Sequence, residues 1–174
     1  MASILNVDQI NNAAGTSGIT LDASTGAASF PNGATLPAGS VLQVVNVSYG
    51  TQEVFSNTSF SASGLTLSIT PSNATSKILV AGSVNLYQGT ASTYTTVSVY
   101  RDASVNLGGT NWGFGEIYGN SGDRFGQVSF TYLDSPSTTS AVTYTVYKRV
   151  SANQGYINLN TGELSTMTLM EIAQ

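Results

Sequence analysis

From Val41 to the C-terminus, apolar side chains recur at every second position, the spacing that turns one face of a β-strand inward and leaves the other outward. The cleanest stretch is Leu65-Thr66-Leu67-Ser68-Ile69-Thr70. Val142-Thr143-Tyr144-Thr145-Val146 and Val128-Ser129-Phe130-Thr131-Tyr132 repeat it, as do Ile78, Val80, Val84 and Leu86 after Lys77. Between these runs lie Pro71-Ser72-Asn73, Gly89-Thr90, Gly108-Gly109, Asn120-Ser121-Gly122-Asp123 and Asp134-Ser135-Pro136, residues that impose or tolerate turn dihedrals. No window holds a helical period over three turns, and Val, Thr, Tyr and Phe dominate the runs, as suits a pleated, half-buried surface. The pattern predicts an all-β chain: about eight to ten short strands over residues 40–174, closing into an antiparallel jelly-roll sandwich.

Residues 1–39 differ. They contain no Lys or Arg, only Asp8 and Asp22 as charges, and a thin scatter of apolar residues that cannot form a core alone. Pro31, Asn32-Gly33 and Pro37-Ala38-Gly39 then punctuate the chain before the dense alternation begins. The segment is expected to be an extended attachment arm, with Ile4, Leu5, Val7 and Ile10 as its apolar anchors. The same composition also fits a tail with no partner.

Charge changes the picture next. Only 8% of residues are charged, against about 25% in ordinary domains, and 24 Ser, 22 Thr and 18 Gly fill the gap. A surface so poor in charge offers little repulsion between copies, which favours a protein that lives assembled. The five basic residues, set against nine acidic ones, are too few for a nucleic-acid footprint. With no His and no Cys, the usual nucleophile and base pairs and thiolate metal sites are missing, so neither an enzyme nor a cofactor is expected. The opening MASILNVDQI carries neither a basic cluster nor a long apolar run, so no secretory signal and no membrane partner are expected. Assembly in a bacterial cytoplasm suits these traits.

Chemistry would have to rest on carboxylates. Glu116, Asp123, Asp102 and Asp134 could pair as acid and base in a glycosidase, but acidic residues beside turn glycines are more often solvated turn residues. The segment Asn111-Trp112-Gly113-Phe114-Gly115-Glu116-Ile117-Tyr118-Gly119 holds the only Trp, with two further aromatics on what alternation makes one strand face. Such a face, through Trp112 and Tyr118, could stack on host glycan sugars. The favoured reading is that it fills the core or a subunit seam while its glycines let strands approach closely. Lys148-Arg149, near a strand end, is expected to be a solvated edge that discourages edge pairing.

The opening Ile4-Leu5-Asn6-Val7-Asp8, with Gly18-Ile19-Thr20-Leu21 and Phe30-Pro31-Asn32-Gly33, resembles the start of fibre-like virion structural proteins of bacteriophages, notably cyanophages. Ser76-Lys77-Ile78-Leu79-Val80, Val99-Tyr100-Arg101-Asp102, Tyr132-Leu133-Asp134-Ser135-Pro136 and Ser165-Thr166-Met167-Thr168-Leu169-Met170-Glu171-Ile172 are similar to the globular part of that family. The resemblance implies a homotrimeric jelly roll of the kind seen in the complement globular head and tumour necrosis factor, docked on the virion surface through its arm. Strands with two partly apolar faces, Val41-Leu42 with Val44-Val45 and Ile78-Leu79-Val80, suit a core on one side and a subunit contact on the other. Its partner would be the major capsid protein or a tail protein. The expected role is a capsid decoration or cement protein; a short tail fibre or fibre tip and a carbohydrate-binding module remain alternatives. The absence of any coiled coil, long repeat or shaft favours decoration.

Overall fold

The computed structural model describes residues 9–11, 17–21, 24–25, 28–29, 36–121 and 123–174. The chain divides into two compact units, Met1–Pro37 and Ala38–Gln174.

Among the described residues of the first unit are three short strands, β1 (Gln9–Asn11), β2 (Ser17–Leu21) and β3 (Ala28–Ser29), paired antiparallel in that order. Ile10 stands opposite Ile19, and Thr20 opposite Ser29. Within the segment read as an attachment arm, the alternation in Ile19-Thr20-Leu21 lets β2 pair with a strand on either side. Of the predicted anchors, Ile4, Leu5 and Val7 lie outside the described residues, and so does the side chain of Ile10.

The second unit is a two-layer sandwich. Its strands, in chain order, are β4 (Val41–Tyr49), β5 (Glu53–Phe55), β6 (Ser61–Ile69), β7 (Lys77–Gln88), β8 (Thr93–Arg101) and β9 (Val105–Asn106). There follow β10 (Gly115–Gly119), β11 (Arg124–Asp134), β12 (Val142–Val150), β13 (Gly155–Ile157) and β14 (Ser165–Ile172). One sheet runs β4-β14-β7, with β11 on the far side of β7 and the β13-β5 pair continuing beside the end of β7. The other runs β10-β8-β12-β6, with β9 hooked onto β8. Every pairing is antiparallel, and the eight principal strands divide four to each layer, β4, β7, β11 and β14 against β6, β8, β10 and β12, which is the jelly-roll arrangement the alternation predicts.

The inward halves of the alternating runs meet between the layers. Ile78, Val80, Val84, Met167 and Leu169 face Leu65, Val97, Val99, Val142 and Val146, all buried. Each such side chain contributes about 1.5–3 kcal/mol by leaving water, and Leu169→Ala would cost about 2–5 kcal/mol. Gly82 is needed at the centre of β7: a Cβ there would collide with the Thr166 carbonyl and the Phe130 ring.

The charged groups inside the sandwich are paired. Arg101 donates to both oxygens of Asp134 at 2.7 Å, and the Tyr144 hydroxyl donates to Asp134 Oδ2 at 2.7 Å. Burial, then the Asp134 carboxylate, pushes the Tyr144 phenol far above its usual range. Asp134 is therefore a buried clasp between sheets, and not the solvated turn residue expected. Lys148 corrects the reading of a solvated edge in the same way. Its parity on β12 turns it inward, where it ion-pairs with Glu53 at 2.9 Å and donates to the Ala62 carbonyl.

Candidate functional site

The outer surface of the β10-β8-β12-β6 sheet holds the most chemically distinctive side chains of this unit. Alternation sends Glu116 and Tyr118 of β10, Tyr94, Thr96, Ser98 and Tyr100 of β8, and Tyr147 and Arg149 of β12 to this side. Register then sets them in rows. Tyr118 stands opposite Tyr94, while Glu116, Thr96 and Arg149 form the next row across three strands.

The connection from β9 to β10 folds over part of this face. Gly109 and Gly113 exchange backbone hydrogen bonds of 2.9 and 2.8 Å, and Phe114 N–H donates to the Val97 carbonyl at 2.9 Å. Gly113 has φ +54°, and a Cβ there would strike the Val97 carbonyl, so only glycine lets the loop lie so close to β8. Arg149 Nη2 donates to the Asn111 carbonyl and holds the loop from the other side. The guanidinium lies 5.1 Å from the Phe60 ring centroid and 5.8 Å from that of Tyr94.

That anchoring presents Trp112. Its ring meets Tyr94 edge-on at 5.2 Å yet remains 54% exposed, and Tyr118 is 48% exposed. Trp112 and Tyr118 therefore lie neither on one strand face nor in the core, and of the expected placements the subunit seam and the exposed face remain. Trp112 and Phe114 precede β10, the chain turns at Gly113, and Phe114 alone packs inward, 5.6 Å from Phe130. Further along the face Tyr100 and Tyr147 stack at 4.0 Å, with Phe60 at 6.0 Å from Tyr100. Partial burial holds the Glu116 carboxyl above its usual range, against the opposing pull of Arg149. Two buried polar atoms under this face, Thr96 Oγ1 and Arg149 Nε, have no hydrogen-bond partner.

The other candidate carboxylates are dispersed. Asp123 accepts from the Tyr87 hydroxyl at 2.6 Å and Asp102 from the Thr143 amide at 2.9 Å, while Asp134 is held in its clasp, so each of these three carboxylates has a partner of its own. Among the described residues, no group of three or more His, Cys, Asp or Glu is placed to hold a metal ion. Sequence reasoning missed Tyr94 as the neighbour of Trp112, Arg149 as the fastener of its loop, and Tyr100, Tyr147 and Phe60 as further rings of the same face. The period-two spacing of Tyr94, Thr96, Ser98 and Tyr100 was the available signal, but cross-strand register decides which of them meet.

The opposite outer surface, on β4-β14-β7-β11, is of another kind. Val44, Met170, Leu79 and Leu133 form an apolar row across four strands, and Val44 is 54% and Leu133 48% exposed. The next rows are Asn46-Thr168-Ala81-Thr131 and Ser48-Thr166-Ser83-Ser129. At the far end Tyr87 packs between Phe125, at 4.7 Å, and Tyr156, at 5.4 Å. Lys77 is the one charged side chain at the outward positions of these four strands.

No protein-family model matches the chain, and no curated protein matches it. Among solved structures, a chain in the structure of infectious bursal disease virus, Gx strain, is similar at a TM-score of 0.34 and 13% identity. The match covers 89% of this chain but only 45% of the viral one. A likeness that weak leaves the role of the chain to be argued from its own surfaces.

Proposed function

We propose that the chain is a non-enzymatic structural protein of a tailed-phage virion: a capsid decoration protein whose jelly roll assembles as a homotrimer, docked through residues 1–39. The observation that carries the reading is the β4-β14-β7-β11 outer face. Its row of Val44, Met170, Leu79 and Leu133, backed by neutral hydroxyl rows and a single lysine, leaves apolar area in water that association would remove at about 25 cal/mol per Å². With almost no like charge to hold copies apart, such a face suits a closed ring in which each subunit covers its neighbour. The virion setting rests on the sequence resemblance to phage structural proteins, and the arm is its natural link to the shell.

Sedimentation velocity of the full chain tests the assembly. The expected species has three times the 18.0 kDa chain mass, and Val44→Lys combined with Leu79→Glu should reduce it to monomer with the sandwich intact by circular dichroism. Deleting residues 2–39 should leave trimers that no longer bind phage heads. A wild-type chain that is monomeric and has no affinity for heads sinks the reading.

A further inference from the structure

Trp112 is held out to solvent by its surroundings. Its loop is tied to β8 through Phe114 and Val97, closed by the Gly109 and Gly113 bridge, and fastened to β12 by Arg149 on the Asn111 carbonyl. The ring is thus fixed in place while more than half of it remains open. Tyr118, which flanks the same Tyr94 across the β10-β8 pairing, is nearly as exposed, with Glu116 exposed one row below. Thr96 Oγ1 and Arg149 Nε, the unpartnered pair, lie in that same row. Flat rings flanked by planar polar groups match one ligand chemistry closely. The C–H face of a pyranose lies on an aromatic ring, and its equatorial hydroxyls point sideways to carboxylate, guanidinium and carbonyl partners.

We infer that Trp112, Tyr118 and Glu116 form a binding platform for neutral pyranose units of a polysaccharide. Trp112 and Tyr118 supply the stacking surfaces, and Glu116 accepts hydroxyl hydrogen bonds. Arg149 is a positioning residue, because it already serves the Asn111 carbonyl and the Phe60 and Tyr94 rings. A neutral glycan is favoured over an acidic one: the exposed charge in the row is the Glu116 carboxylate, the half-buried Arg149 guanidinium is already engaged, and the chain carries a net charge of −4. The platform lies on the sheet opposite the proposed assembly face and does not depend on it.

Because Trp112 is the only tryptophan, its fluorescence reports this platform alone. The full chain is titrated with maltohexaose, cellohexaose and mannohexaose, and with a hyaluronan hexasaccharide as the acidic arm, each up to about 10 mM. The expected result is a saturable change in emission with at least one neutral hexasaccharide and a weaker one with hyaluronan. Tyr118→Ala and Glu116→Ala should each weaken that binding about tenfold by calorimetry, with unchanged unfolding midpoints, since both side chains are exposed. Silence toward every neutral probe overturns the inference. So does binding that Tyr118→Ala and Glu116→Ala leave unchanged, or a preference for hyaluronan. None of these outcomes touches the sedimentation or particle-binding tests, so failure here and failure of the virion reading are separable.

Discussion

The two outer faces of the sandwich come from one rule and end with opposite chemistry. In both sheets alternate residues are sent inward to a shared core, yet the β4-β14-β7-β11 face keeps Val44, Met170, Leu79 and Leu133 among neutral hydroxyl rows. The β10-β8-β12-β6 face carries Trp112, Tyr94, Tyr118, Glu116 and Arg149. A flat apolar face has few directional groups and suits a large protein surface, whose association is driven by area. Rings set among charges gain little from area and much from geometry, which suits a small polar ligand. Period two therefore decides which residues look outward, whereas their identities decide what each face can hold.

The largest expected effect joins the two faces. Asp134 on β11 clasps Arg101 of β8 and Tyr144 of β12, so it ties the sheet bearing one face to the sheet bearing the other. Asp134→Ala leaves a guanidinium and a phenol without their partner in a largely buried site, at a cost of about 3–5 kcal/mol. Denaturant unfolding should show that loss as one cooperative transition, with Trp112 emission and β-sheet signal falling together. If the two signals separate, the faces belong to independently stable layers and the contrast between them loses its common frame.

Acid should distinguish the faces. Glu171 on β14 is fully buried, and burial raises its pKa. Hydrogen bonds from Gln43 Nε2 at 2.6 Å and from the Ser72 amide and hydroxyl at 2.7 Å override that penalty, and the net result is a carboxyl lowered from 4.5 to about 2. A group with a depressed folded-state pKa contributes stability that is complete above its unfolded value and disappears as pH falls through the folded one. Here that window runs from about 4.5 down to 2, with a loss on the order of 3 kcal/mol. Glu53 is also lowered, because its bonds to Gly64, Lys148 and Tyr49 outweigh burial, so it adds to the same slope. Hydrogen exchange should rise first in β4 and β14 as the medium is acidified, ahead of β8 and β10. Glu171→Gln should flatten most of the dependence, and uniform exchange across both sheets would show that the carboxyl is not what anchors the apolar face.

The sandwich was legible because its signal is local. Leu65 through Ile69, Val128 through Phe130 and Val142 through Val146 each state their inward face within a few residues, and the burial pattern follows them, failing only at Tyr132, which stays exposed near the end of β11. The site was less so, because it depends on which strands become neighbours. Lys148 looked like an edge charge until β12 was known to lie between β8 and β6, where Glu53 comes within reach. Trp112 looked like a strand residue, since nothing local announces the turn at Gly113 that swings it outward and Phe114 inward. Arg149 looked unattached because its partners, Asn111, Phe60 and Tyr94, come from three distant parts of the chain.

The smallest expected effect lies at the root of the loop that presents Trp112. Between β8 and β9 the chain reverses through Asp102, at φ +48°, and Ala103, at φ +57°, closed by Ser104 N–H donating to the Arg101 carbonyl at 3.1 Å. Two successive positive φ values match the twist of the flanking strands, and the second position of such a turn favours glycine. Asp102 has compensation, since it exchanges hydrogen bonds with the Thr143 backbone through its own amide and carboxylate. Ala103 has only a methyl group in a conformation that costs an L-residue about 1–2 kcal/mol. Ala103→Gly should relieve that strain while giving back about 0.4–1 kcal/mol through the greater freedom of the unfolded chain. The net gain of about 0.5–1 kcal/mol should raise the calorimetric Tm by about 2 °C. Because the substitution tightens the root of the loop without touching Trp112 or the apolar row, sedimentation and Trp112 emission should both stay as in the wild type. A fall in Tm would mean that the Ala103 methyl makes contacts worth more than its strain.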